Sequence, residues 1–284
     1  VTRFRLDLGY RGTDFHGWAK QPGQRTVQGS LEDGLARVTG TEVATVVAGR
    51  TDAGVHAQRQ VVHIDVDEAG LAKLIGRSAR SPEQALLSRL RGVLTVDGSD
   101  DLVIHAVTEV PADFDARFSA LWRSYQYRLA DHRSFLDPLL TAMTPRHKGE
   151  LDAEAMAEAA HEARGLHDFL PFCKPRDGAT TIRTLHDLDV ARDQDAVITI
   201  DLRADAFCHH MVRALVGGLI RVGSGAWPVT RPAELLAEAD AGITATGPMH
   251  VTPAHGLVLT GVGYPDPADY AARAAQTMAR RDLG

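Results

Sequence analysis

The sequence predicts an α+β fold built as two halves, each an antiparallel or mixed sheet with helices on one face. Three observations carry this. Strand-like segments alternate apolar and polar residues instead of running apolar throughout, the mark of a sheet with one covered face. Stripes at helical spacing lie between those segments. The order strand, helix, strands then occurs a second time along the chain, so helix packs on sheet twice.

Taken in order, Arg3-Phe4-Arg5-Leu6-Asp7-Leu8 alternates charge with apolar residues. Val27, Leu31, Leu35 and Val38 recur at spacings of three and four and share one helix face. Val43–Val47 is an apolar run that reads as a strand, and Val62, Ile64 and Val66 form another with His63 and Asp65 between them. Asp67–Ser81 is polar, with two glycines, and reads as an insertion or mobile loop. Proline breaks the pattern at Val110-Pro111, which places the join there, with halves of 1–110 and 111–284. In the second half, Leu151, Ala155, Met156, Ala159 and Ala163 form a helical stripe stopped by Gly165. Ile198, Ile200 and Leu202 alternate as a strand. A long stripe from Phe207 to Val222 predicts a helix opening at Phe207, Leu235, Leu236 and Ala239 suggest another, and Leu257–Thr260 closes with a strand.

Composition bounds the function. The 284 residues are 44% hydrophobic and 24% charged, ordinary for a globular chain. Two cysteines, Cys173 and Cys208, are too few for a disulfide framework, and no Cys/His metal spacing accompanies them. The absence of an apolar run of membrane-spanning length, and of a signal peptide, points to the cytoplasm. The net charge of −6 argues against a nonspecific nucleic-acid coat. That charge is uneven, however. Residues 116–130 carry Arg117, Arg123 and Arg128 and no acid, and residues 206–233 carry Arg213, Arg221 and Arg231 and no acid. Of the 31 basic residues all but four are arginines, whose planar forks suit phosphates and bases. These segments predict a basic cleft on an acidic body.

Three segments carry chemistry. In Ala48-Gly49-Arg50-Thr51-Asp52-Ala53-Gly54-Val55-His56-Ala57, two glycines bracket a polar loop that follows a strand. Asp52 is either a nucleophile or base, or an aspartate that closes a turn through its own backbone. Ala116 through Arg128 interleaves arginines with aromatic residues, as base-stacking surfaces do. A strand with a buried aromatic face and a solvated arginine face has the same pattern. Tyr125 and Tyr127 share a face in either case. Phe207-Cys208-His209-His210-Met211-Val212-Arg213 is the third. Adjacent histidines on a helix diverge by about 100° and make a poor chelate, so His209 and His210 read as hydrogen-bonding or packing residues. Arg213 needs a carboxylate partner, for which Asp52, Asp201 and Asp205 are candidates. No phosphate loop, dinucleotide fingerprint, nucleophile elbow or zinc deaminase signature is present.

These motifs resemble, in order and along nearly the whole chain, the TruA-type tRNA pseudouridine synthases. Tyr10-Arg11-Gly12-Thr13-Asp14-Phe15-His16-Gly17-Trp18 resembles the family's opening motif, and Gly49 through Ala57 its central one. Ala116-Arg117-Phe118-Ser119-Ala120, Arg123 through Tyr127, and Phe207 through Gly217 are similar to those that follow. The resemblance implies the pseudouridine synthase fold: two ferredoxin-like halves sharing a mainly antiparallel sheet around a central active-site cleft. It implies isomerisation of uridines 38, 39 and 40 in the tRNA anticodon stem-loop, with Asp52 as the catalytic aspartate. Arg50 matches an arginine implicated in displacing the target base. Arg213 matches the basic partner of the aspartate, and Tyr125 the tyrosine that packs on the uracil. Arg117, Arg123 and His56 complete the expected substrate contacts. No cofactor or metal is expected, and the expected assembly is a homodimer. A noncatalytic structured-RNA binder on the same scaffold is the alternative. An aspartate-based hydrolase would need a second acid or base near Asp52, for which His56 and His63 are weak candidates.

Overall fold

The computed structural model describes residues 1–76, 79–95, 100–175, 180–243 and 250–279. In chain order these form β1 (Thr2–Tyr10), α1 (Val27–Thr39), β2 (Thr45–Val47), β3 (His56–Val66), α2 (Glu68–Ile75), α3 (Pro82–Thr95), β4 (Leu102–Glu109) and β5 (Trp122–Leu129). There follow α4 (Ala153–Glu162), β6 (Gly165–Asp168), β7 (Ile182–Arg192), β8 (Ile198–Ala204), α5 (Met211–Gly223), α6 (Arg231–Asp240), β9 (Leu257–Gly263) and α7 (Tyr270–Met278). They gather into two compact units, Val1–Leu121 with Leu259–Met278, and Trp122–Val258. The α+β class with mainly antiparallel strands is as expected.

In the first unit β1 is central. It pairs antiparallel with β3, setting Phe4 against Ile64 and Leu6 against Val62, and with β4 on its other side. β2 pairs antiparallel with β3, and β9 also lies beside β3. The alternation read from the sequence is realised, since Phe4, Leu6 and Leu8 are fully buried. So are Val27, Leu31 and Leu35 of α1. Each such side chain contributes roughly 1.5–3 kcal/mol on leaving water. Thr26 caps α1 by accepting the N–H of Gly29 at 3.2 Å. Gly34 lets α3 close on α1, for a Cβ there would lie 3.1 Å from Leu90 and 3.2 Å from Leu94.

Asp67–Ser81 is not a mobile loop over most of its length. Asp67 caps α2, its carboxylate accepting the N–H of Gly70 at 2.7 Å, and Leu74 is buried. The helix is only eight residues long, too short for a stripe to stand out against its polar neighbours. Residues 77 and 78 of this segment lie outside the described ones.

The chain does not leave the first unit at Val110-Pro111. Phe114 and Ala116 pack with Ala48, Val61 and Tyr270 in a core of their own. The Phe114 ring lies 5.0 Å from those of Tyr264 and Tyr270. The segment is pinned by polar contacts as well: Arg3 donates to the carbonyls of Ala112 and Phe114, and Ala116 donates its N–H to Nδ1 of His63 at 2.9 Å. Proline ends β4 without ending the unit.

The second unit is an antiparallel sheet in the order β5-β8-β7-β6. Tyr125 faces Leu202 and Tyr127 faces Ile200 across β5 and β8. The α5 helix is buried along most of its length. Its end fits against α4 at Gly223, where a Cβ would lie 2.6 Å from the Met156 sulfur. Asp131, whose side chain is wholly buried, accepts both terminal nitrogens of Arg192 and the N–H of Leu151. Although burial opposes ionisation, these partners hold its carboxyl well below the usual carboxylate range.

One expectation is corrected here, and one pairing was not foreseen. The helix does not open at Phe207 but at Met211, because His210 takes a left-handed φ of 68° and interrupts the run. The two cysteines, too few for a framework, form a single bridge from Cys173 to Cys208. Among the described residues, no helix is long and apolar enough to cross a membrane.

Candidate active site

Arg50, Asp52, His56 and Arg117 belong to the first unit, and Arg123, Tyr125 and Arg213 to the second. Asp52 lies in the loop joining β2 to β3. The turn after it is closed by its backbone, Val55 donating to the Asp52 carbonyl at 3.2 Å. Gly54 supplies the left-handed conformation the turn requires, with φ of 80°. The side chain of Asp52 is half-buried and that of Arg50 exposed.

Residues 10–18 brace this loop on both flanks. The Tyr10 hydroxyl and Thr51 Oγ1 share a hydrogen bond of 2.8 Å. Gln60 donates to Tyr10 at 3.3 Å and to the Gly49 carbonyl at 2.9 Å. Trp18 donates its N–H to the Thr51 carbonyl at 3.0 Å, and Gly54 donates to that of Phe15 at 3.3 Å. Gly12 donates its N–H to Nδ1 of His56 at 2.9 Å. The approach is close enough to require glycine twice. A Cβ on Gly12 would run into the Val55 carbonyl, and one on Gly17 would sit 3.0 Å from that of Thr51. The opening and central sequence motifs are therefore one structural piece.

His56 is 2% exposed, so in this structure its ring supports the backbone of Gly12. Arg117 is exposed, its guanidinium 5.0 Å from the Phe118 ring, on a turn that Asp115 caps by accepting the N–H groups of residues 117 and 118.

In the second unit, Arg123, Tyr125 and Tyr127 alternate onto the buried face of β5. The arginine side of this cluster is thus not wholly solvated. Arg123 is 6% exposed and donates to the Asp205 carbonyl at 2.8 Å, while Arg128 on the other face pairs with Asp193. The ring of Phe207 stands edge-on to Tyr125, at 89° and 5.1 Å between centroids. Arg213 sits in the first turn of α5. Its Nε donates to the Thr252 carbonyl at 2.7 Å, and Thr252 returns bonds from its N–H and hydroxyl to the Arg213 carbonyl. Tyr127 donates to the Pro253 carbonyl at 3.0 Å. Burial pushes its phenol up to about 12, so it remains a neutral donor. His209 and His210 precede the helix with rings 3.9 Å apart, a packed pair rather than a divergent one.

Comparison with known proteins decides the family. A family model described as tRNA pseudouridine synthase matches residues 159–265. A relative from Leifsonia xyli subsp. xyli, named tRNA pseudouridine synthase A, is 48% identical over 290 residues, covering 100% of this chain and 99% of its own. One of the same name from Streptomyces griseus subsp. griseus is 49% identical over 284 residues, covering 99% and 94%. This chain belongs to the tRNA pseudouridine synthase family. As a pseudouridine synthase it is an isomerase acting on tRNA.

Several residues that hold the candidate residues within each unit of this synthase carried no role in the sequence reading. Tyr10 and Thr51 were visible only as parts of motifs, and Gln60 gave no signal at all. Phe207 was hidden inside an apolar helical stripe that the structure breaks after it. Thr252 is ordinary in sequence and acts through its carbonyl, its N–H and its hydroxyl.

Proposed function

We propose that this tRNA pseudouridine synthase isomerises uridines 38, 39 and 40 of the tRNA anticodon stem-loop, with Asp52 as the catalytic nucleophile. The observation supporting this role is the bracing of the Asp52 loop by residues 10–18. A reacting group must be held to a fraction of an ångström, and a solvated turn aspartate has no need of two glycines and four cross-chain bonds.

The reaction breaks the N1–C1′ bond of uridine, turns the uracil, and joins C5 to C1′. The proton on C5 is lost and N1 gains one, so no atom is added or removed. The target nucleotide first leaves its stack, at a cost of a few kcal/mol. Arg50 fills the place it vacates and Tyr125 packs on the uracil, which offsets part of that cost. Arg213 serves as the basic partner of the aspartate. Arg117 takes phosphate, while Arg123 and His56 serve the substrate through the backbone they hold. We read the enzyme as a cytoplasmic homodimer with the stem-loop lying across both subunits.

The test uses an unmodified tRNA transcript with uridine in the anticodon arm and chemical mapping of pseudouridine. Wild type forms it at positions 38–40, and Asp52→Asn forms none while binding the tRNA within a few fold. Pseudouridine formed by the variant removes Asp52 from the chemistry. A wild type that binds without modifying is the noncatalytic RNA binder.

A further inference from the structure

We propose that Cys173 and Cys208 form a reversible thiol–disulfide site whose closed state holds Phe207 against Tyr125, and that its opening weakens use of the tRNA substrate. The activity part rests on the function proposed above; the site itself does not.

Four observations carry it. These are the only cysteines in the chain, and the structure joins them across 35 residues with Cα atoms 5.9 Å apart, inside the usual range for a bridge. Their segments are also held in register independently of sulfur, because Lys174 donates its N–H to the His209 carbonyl at 2.9 Å, one residue beyond each cysteine. Both cysteines are half-buried, so small thiols and disulfides can reach them. Finally, Cys208 directly follows Phe207, whose ring stands edge-on to Tyr125. The same short segment is fixed at its start by the bond from Arg123 to the Asp205 carbonyl. The bridge is therefore the covalent anchor of a six-residue stretch that backs the tyrosine proposed to meet the uracil.

Cytoplasmic disulfides are mostly transient and regulatory. The exchange balances with a low-molecular-weight disulfide as oxidant. One protein thiolate attacks it to give a mixed disulfide and release a thiol. The second protein thiolate then displaces the other thiol. Two protein thiols and one small disulfide thus become one protein disulfide and two small thiols. A dithiol reverses the exchange. Opening the bridge leaves the Lys174–His209 bond in place between the segments, so the wall behind Tyr125 loosens without the fold being lost.

The experiment takes the full chain through buffers of reduced and oxidised glutathione. Thiols are trapped with N-ethylmaleimide and counted by intact mass, and pseudouridine formation on tRNA is measured at each poise. The expected result is no alkylation in the oxidised form, two groups added in the reduced form, and a kcat/KM that falls severalfold on reduction, mainly through KM. Cys173→Ser is expected to keep the reduced-form value at every poise, and Cys208→Ala serves if that variant does not fold. Two alkylated thiols after treatment with oxidised glutathione overturn the site. Equal activity in both wild-type states, or a serine variant that still responds to poise, overturns its coupling to Tyr125. If wild type forms no pseudouridine in either state, the functional reading fails, while the alkylation count still decides whether the pair bridges.

Discussion

Tyr10 and Thr51 share a hydrogen bond of 2.8 Å across 41 residues of chain. Through it the end of β1 holds the residue next to Asp52. Burial pushes the Tyr10 phenol up to about 12, against the hydrogen bonds to Thr51 and Gln60, so the contact stays neutral through the physiological range.

Tyr10→Phe deletes this hydroxyl and leaves Thr51 and Gln60 each short of a buried partner. The expected loss is about 1–3 kcal/mol of stability, read by urea unfolding. Because the loop loosens at the reacting residue, kcat is expected to fall with KM little changed. An unchanged kcat would mean that the loop is held by the remaining bonds alone.

Gly12→Ala places a methyl group into the Val55 carbonyl, and backbone cannot swing aside as a side chain can. Overpacking of this kind costs about 1–3 kcal/mol or more. The bond from Gly12 to His56 is lost with the shift. Thermal unfolding measures the first effect. Gly23→Ala, where a Cβ would meet nothing but φ is 70°, is the control for conformational strain alone.

Asp131→Asn tests the buried pair with Arg192. Removing the charge leaves the arginine uncompensated and is expected to cost roughly 3–5 kcal/mol at neutral pH. The folded-state pKa of Asp131 is depressed, so its contribution is complete above the unfolded value of about 3.9 and is lost as pH falls toward the folded one. Wild type and variant should therefore converge in denaturant midpoint as pH drops from about 5 toward 2, the window set by that depression. Parallel curves would show that the carboxylate's charge is not what stabilises.

His63 accepts the Ala116 N–H through Nδ1, and burial, followed by the Arg3 charge, pushes its pKa down. Asp115 and Asp65 oppose that shift without reversing it. The unfolded chain thus takes the proton more readily, and stability from this group falls as pH drops below about 6.5. His63→Gln keeps an acceptor without the titration. Its denaturation curves between pH 7.5 and 5.5 should slope less than wild type's, by at most about 1.4 kcal/mol per pH unit.

Much of this was legible in the sequence. Alternation marked β1 and β8 because each has one covered face, and helical spacing marked α1 and α4 for the same reason; in β3 it marked Val62, Ile64 and Val66 but not the burial of Val61 and His63 on the other face. The Asp52 loop was legible because two glycines and a change from apolar strand to polar turn stand next to each other. What was hidden depends on tertiary contact. The start of α5 turns on a left-handed histidine that no period reveals. Arg123 reads as solvated because arginine usually is, and its bond to the Asp205 carbonyl appears only in the fold. The short α2 carries too few apolar residues to announce itself. The role of residues 10–18 as a brace needs the 41-residue return of the chain to become visible.

The first unit is made from two pieces of chain. Tyr270, which packs on Phe114, arrives with residues 259–278, after residues 122–258 of the second unit have been translated. During synthesis the second unit has every strand it needs before the first does. Domains that fold as they emerge usually do so from the N-terminal end; here that order is interrupted. While the ribosome works through residues 122–258, Phe114 and Val61 wait without the Tyr270 ring that completes their cluster.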